Sequence, residues 1–196
     1  MKPNIFKYTI INPILYTIIV LILLTGIEGM TNYCGLERWD IKQCRDIKAS
    51  NIDTNKIFIS TVYDECSIKR PFLKLNERQP AEYQIVKLNC LITGYGVESD
   101  MDIHIVLKDL NYNITMIAEI PSIKCTELRE SRFYNKINSA GNQFIHIFGY
   151  PLTHFVTLKQ PVPVSITGVR FFDFPHFQKG CAPNAVELHP VLDLKR

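Results

Sequence analysis

"DMDIHIVLKDLNYNITMIAEIP", residues 100–121, decides the fold. Ile103, Ile105 and Leu107 alternate with Asp102, His104 and Val106, a period of two that only an extended strand turns into two faces. "DLNYN" (109–113) follows and reads as a turn. Beyond it Met116, Ala118 and Ile120 lie opposite Ile117 and Glu119. Two alternating runs joined by an Asp/Asn turn make a hairpin.

Upstream, "YQIVKLNCLITGYG" (83–96) is another strand, with Gly94 and Gly96 allowing a bulge or sharp bend. Downstream the period changes. In "CTELRESRFYNKINSAGNQFIHIF" (125–148), Phe133, Ile137, Ala140 and Phe144 recur at three and four, which is one apolar helical face. Thr126 is the expected N-cap and Gly141 the expected end. "QPVPVSITGVRFFDF" (160–174) and "NAVELHPVLDL" (184–194) are two more strands, the first starting at an edge because of its prolines. In the last, Val186 and Leu188 point inward while Glu187, His189 and Val191 point outward. Among the clustered rings, Phe172 and Phe174 are expected to pack.

Three strands, a helix and two strands is the element order of an oligonucleotide/oligosaccharide-binding (OB) barrel, with a helix between its third and fourth strands. The expected fold is therefore mostly β: a five-stranded OB-like barrel over residues 83–196. An open α+β sheet is the competing arrangement. Residues 31–82 look irregular and disulfide-stabilised, with "KIFISTVY" (56–63) as their one strand. No repeat or second domain is visible.

Residues 1–30 carry Lys2 and Lys7, then an apolar run from Ile14 to Leu24, then small and polar residues. That order matches a signal peptide. Extending the run over residues 10–27 gives the alternative, an N-terminal membrane anchor with the domain outside. Either way the domain is expected to be secreted or in the cell envelope. Cys34, Cys44, Cys66, Cys90, Cys125 and Cys181 all follow this segment, an even set that fits disulfides in an oxidising compartment. Six cysteines allow about 15 pairings, and spacing does not choose among them. A net charge of +3 gives no footprint for duplex nucleic acid.

The strings "CGLERWDIK" (34–42), "DIHIVLKD" with "TMIAEIP" (102–121) and "TGVRFFDFPHFQKGCAPNAVELHPVLDL" (167–194) resemble a family of exported microbial proteins with no assigned activity. Its members end in a GVGFFDF-x-H-x-Q-x-G-x-A-x-N-x-x-E-L-H-P-V block. The resemblance spans most of 34–194 but not 45–78. It departs at Arg170, where glycine is usual, and at Cys181, where an aliphatic residue is usual. Cys34 and Cys125 match family positions, so the resemblance implies that they pair.

The pleat then places the polar residues. With Ile103, Ile105 and Leu107 inside, Asp102, His104, Glu119, Glu187 and His189 face outward, and His176 and Asn184 sit in the loop before the last strand. These seven form the candidate binding surface. Histidines and carboxylates are acceptable ligands for zinc or manganese, yet no HExxH or i,i+4 pair brings them together. No cofactor is expected beyond such a divalent metal. Neither CxxC nor GxSxG occurs. Three functions fit: an exported, non-catalytic binding module for an oligosaccharide, oligonucleotide or protein; a metal-assisted hydrolase or nuclease using the outward histidines and acids; or a structural, envelope-tethered interaction protein.

Overall fold

The structure, a computed structural model, describes residues 34–196 apart from Leu36 and Phe177. The expected signal peptide or anchor lies outside the described residues. Among those described, no helix is long and apolar enough to cross a membrane.

The fold is mostly one six-stranded sheet. Its strands are β1 Ile57–Ser60, β2 Ile85–Val97, β3 Ile103–Lys108, β4 Thr115–Ile120, β5 Val156–Phe172 and β6 Val186–Lys195. They run in the order β1-β2-β3-β4-β6-β5, and β2 also pairs with β5, so five of them form a ring. β2–β3, β3–β4, β5–β6 and β2–β5 are antiparallel, while β4–β6 is parallel. β1 is the strand not counted from the pattern of residues 83–196. It joins parallel to the first half of β2, Ile57 opposite Ile85, on the edge that β3 leaves free.

The alternation at 103–120 holds. Ile105, Leu107, Met116, Ala118 and Ile120 lie in one apolar core with Leu88, Ile92, Phe172, Val186 and Leu188. Val191 joins that core instead of facing outward. The β5–β6 register shifts around Gly168, and each shift by one residue reverses the pleat beyond it. Phe171 and Phe172 are both fully buried, on opposite faces, whereas Phe174 is only half-buried. β5 starts earlier than its prolines indicated. The three residues from Ile92 to Gly94 on β2 match the six from Val162 back to Thr157 on β5, so Pro161 sits in a bulge that needs no ladder N–H.

Among the described residues three α-helices accompany the sheet: α1 Trp39–Lys42, α2 Val62–Ser67 and α3 Tyr134–Phe148. Phe133, Ile137, Ala140 and Phe144 are buried as the period requires. The ends differ from expectation. Thr126 opens a separate 3-10 turn, Thr126–Glu130, and α3 runs through Gly141 to stop at Gly149, whose φ of 79° suits glycine. Gln143 ties α3 to β6, donating to Asp193 Oδ1 and accepting from Leu194 N, both at 2.9 Å.

The described residues of 34–83 form only short elements, with β1 as the expected strand, and buried ion pairs seat them. Arg38 grips Glu82 through two nitrogens at 2.7 and 2.8 Å, and its guanidinium stacks over Phe171. Arg170 grips Glu65 in the same two-pronged way at 2.6 and 2.9 Å. One disulfide forms, Cys34–Cys125. The other four predicted disulfide cysteines, Cys44, Cys66, Cys90 and Cys181, are free thiols. Burial explains three of them: Cys44, Cys66 and Cys90 pack as small apolar groups, with thiol pKa values pushed up to about 11, 12 and 12.

Candidate functional site

The pleat carries Asp102, His104, Glu119, Glu187 and His189 away from the core, as the alternation required. They are nevertheless not at the surface: all five are 0–3% exposed. The segment 34–83 and the loop 173–185 cover this face of the sheet. Lys42 on α1 pairs with Asp173 Oδ2 at 2.9 Å, and Lys179 O on the loop meets His104 Nε2 at 2.9 Å. The expected solvated surface is thus an internal polar layer between the sheet and its cover.

Inside the layer the groups form a chain. His104 Nδ1 lies 3.2 Å from Glu119 Oε1 and 3.3 Å from Glu98 Oε1. Glu119 Oε2 lies 3.0 Å from His189 Nδ1, and His189 Nε2 lies 3.4 Å from Asp102 Oδ2. Asp102 Oδ1 accepts from Ser122 N at 2.9 Å. The contacts of His189 are close but not aligned as hydrogen bonds, so both its nitrogens, Asp102 Oδ2 and Glu187 Oε2 lack a directed partner. Attraction there is between charges.

Burial and neighbours set the charges. Burial works against ionised Glu119, but His104, His189 and Lys42 outweigh it and hold its carboxyl below the usual range. Asp102 is pushed up to about 7 by burial, against the pull of His189. Glu187 rises to about 8 through burial and the nearby charges of Glu119 and Asp173. Burial disfavours charged His189, yet Asp102 and Glu119 carry its pKa to about 9. For Lys42 the same contest is won by Glu119, Glu187 and Asp173, which keep it above the ordinary lysine value.

Two candidate residues stand apart. Half-exposed His176 pairs with Glu37 at 2.9 Å and, with Asp173, makes a separate group of side chains near the surface. Asn184 is a structural tie: its amide donates to Glu65 O and Ile68 O at 2.8 and 2.9 Å, fastening the loop to the end of α2. Sequence reasoning missed Lys42, Glu98 and the covering arginine Arg38. For Glu98 a signal existed, because Glu98, Asp100, Asp102 and His104 repeat at two-residue intervals. For Lys42 none did, since "CGLERWDIK" is far in sequence from everything it meets.

The more open feature is a groove of about 420 Å³. Val97, Met101, Ile103, Ile120, Ile137 and Ile145 supply most of its apolar wall, from the ends of β2, β3 and β4 and one side of α3. Among the described residues Lys124 is its only charged lining residue, next to the Cys34–Cys125 disulfide. Gly141, on α3, leaves the groove room: a Cβ there would meet only Ile120 Cγ2, at 3.8 Å. No family model matches this chain, and no curated protein or solved structure matches it either.

Proposed function

We propose that this chain is an exported, non-catalytic binding module on an OB-like barrel, and that its groove takes an amphipathic anion with a single apolar chain. The barrel reading is supported by the ring: β2–β3–β4 antiparallel, β4–β6 parallel, β6–β5 and β5–β2 antiparallel, with α3 between β4 and β5. The disulfide fits an oxidising compartment.

The groove carries the proposal. Its size falls in the range of small-molecule sites, and its wall is apolar with one cation at the rim. An acyl chain would lie against the isoleucines, each buried CH2 contributing about 0.8 kcal/mol. A carboxylate or phosphate head would pair with Lys124. An oligonucleotide would ordinarily use the outer face of β3 and β4, which here lies under the protein's own cover. The buried histidines and acids face one another rather than solvent, which favours binding over hydrolysis.

Fluorescence competition with palmitate and with hexadecanol tests this. Both should bind the wild-type protein. Gly141→Leu should fill the groove and weaken both at least tenfold, and its helix propensity favours folding. Lys124→Glu should weaken palmitate alone. No binding by the wild type, or Gly141→Leu binding unchanged, rules the groove out.

A further inference from the structure

His189 and Asp102 are the best-enclosed ionisable side chains of the polar layer, both 0% exposed, and neither ring nitrogen of His189 has an aligned hydrogen-bond partner. Leaving such a group unpartnered in a closed interior is costly, so its surroundings call for an explanation. Each flanking carboxylate has one oxygen already engaged. Asp102 Oδ1 accepts from Ser122 N, and Glu119 Oε1 meets His104 Nδ1. The remaining oxygens, Asp102 Oδ2 and Glu119 Oε2, approach different ring nitrogens of His189, Nε2 and Nδ1. One ligand atom from each of the three residues lies within 4.8 Å of the others.

We propose that Asp102, Glu119 and His189 form a buried binding site for one divalent transition-metal ion of the zinc class. Metal–ligand distances near 2.1 Å place donor atoms roughly 3–3.5 Å apart, which Glu119 Oε2 already meets at 3.0 Å from His189 Nδ1. An ion bound there would take Asp102 as its third ligand once that carboxylate turns from Nε2, since one atom of each residue lies within 4.8 Å of the others. One imidazole nitrogen and two carboxylate oxygens make a borderline donor set that suits zinc. Two carboxylates match the charge of a divalent ion, and the ammonium of Lys42 is held by Asp173 instead. His104 serves as the outer partner: its Nδ1 fixes Glu119, while Lys179 O fixes the ring itself, the arrangement that orients metal-binding carboxylates. The three ligands come from β3's leading end, β4 and β6, so a bound ion would cross-link the strands under the cover.

Because the site is closed, the ion has to enter during folding. The full chain, unfolded in guanidinium without reductant, is refolded with excess zinc or with EDTA, gel-filtered and analysed for metal. The expected result is about one zinc per chain and a higher melting temperature for the zinc form. Asp102→Asn and His189→Gln should lose the zinc. His176→Ala should keep it, because Glu37, Asp173 and His176 form a different group. Zinc content no higher in the wild type than in Asp102→Asn overturns the proposal, as does loss of zinc in His176→Ala. If the site variants do not fold, the wild type decides alone: no retained metal and equal melting temperatures mean that an imidazolium, not a metal, sits between the carboxylates.

Discussion

Asp109 shows how one side chain can hold two elements. Its Oδ1 accepts from Asn111 N at 2.8 Å and Tyr112 N at 3.1 Å, shaping the β3–β4 turn, and its Oδ2 accepts from Tyr63 N at 3.0 Å in the first turn of α2. The carboxylate is therefore both a turn residue and a cap supplied from a distance. Burial opposes its charge, but these N–H donors prevail and hold its pKa below the ordinary 3.8. A depressed carboxyl pKa adds stability that is complete above the unfolded value and lost as pH falls through the folded one. Asp109→Asn should thus lower stability by about 2 kcal/mol at pH 7, from weakened charge-assisted hydrogen bonds. Urea titrations across pH should show the gap closing below the ordinary carboxyl pKa; a gap constant to pH 2 would mean that charge plays no part.

The element that most changes the molecule is the loop 173–185. It turns what the pleat presents as an outer face into an interior, and Gly180 is where it comes closest. At φ 84°, a Cβ on Gly180 would lie 2.5 Å from Val106 Cγ1, on the covered face of β3. Both the backbone conformation and the contact select glycine. Gly180→Ala should therefore cost about 1–3 kcal/mol and loosen the loop, exposing the amides around Glu187 and His189 to hydrogen exchange. Unchanged exchange in those amides would show that the loop contributes little to closing the layer.

For the molecule as a whole, one covalent link and a set of buried ion pairs keep the N-terminal segment on the sheet. Cys34 and Cys125 are 91 residues apart, and closing so long a loop contributes about 4–5 kcal/mol on the chain-entropy account. Reduction should release the residues before β1 ahead of the ring, because Lys42 ties them to the loop through a side chain whereas β1 is paired with β2 along its backbone. Thiol chemistry reports this directly. Under native oxidising conditions iodoacetamide should label Cys181 first, since Cys44, Cys66 and Cys90 are buried with raised pKa values. Mass spectrometry finding Cys44 labelled as fast as Cys181 would contradict the seating of the segment.

Ile103, Ile105, Leu107 and the 133–144 apolar stripe were legible in the sequence because side-chain direction follows from a period of two or 3.6, which is local. Facing is not exposure, however. Asp102, His104, Glu119, Glu187 and His189 point where the pleat sends them, and their burial depends on Lys42 and Gly180, more than 50 residues away from most of them. The same holds for the cysteines: an even count follows from composition, while pairing depends on which two come within reach. Val191 fails locally, since the register shifts that insert extra residues into β6 on either side of it are invisible from alternation alone. Sequence thus determined which face a strand residue takes wherever the ladder runs without a bulge, and the tertiary structure alone decided what covers that face, because cover is made by segments whose only link to it is through space.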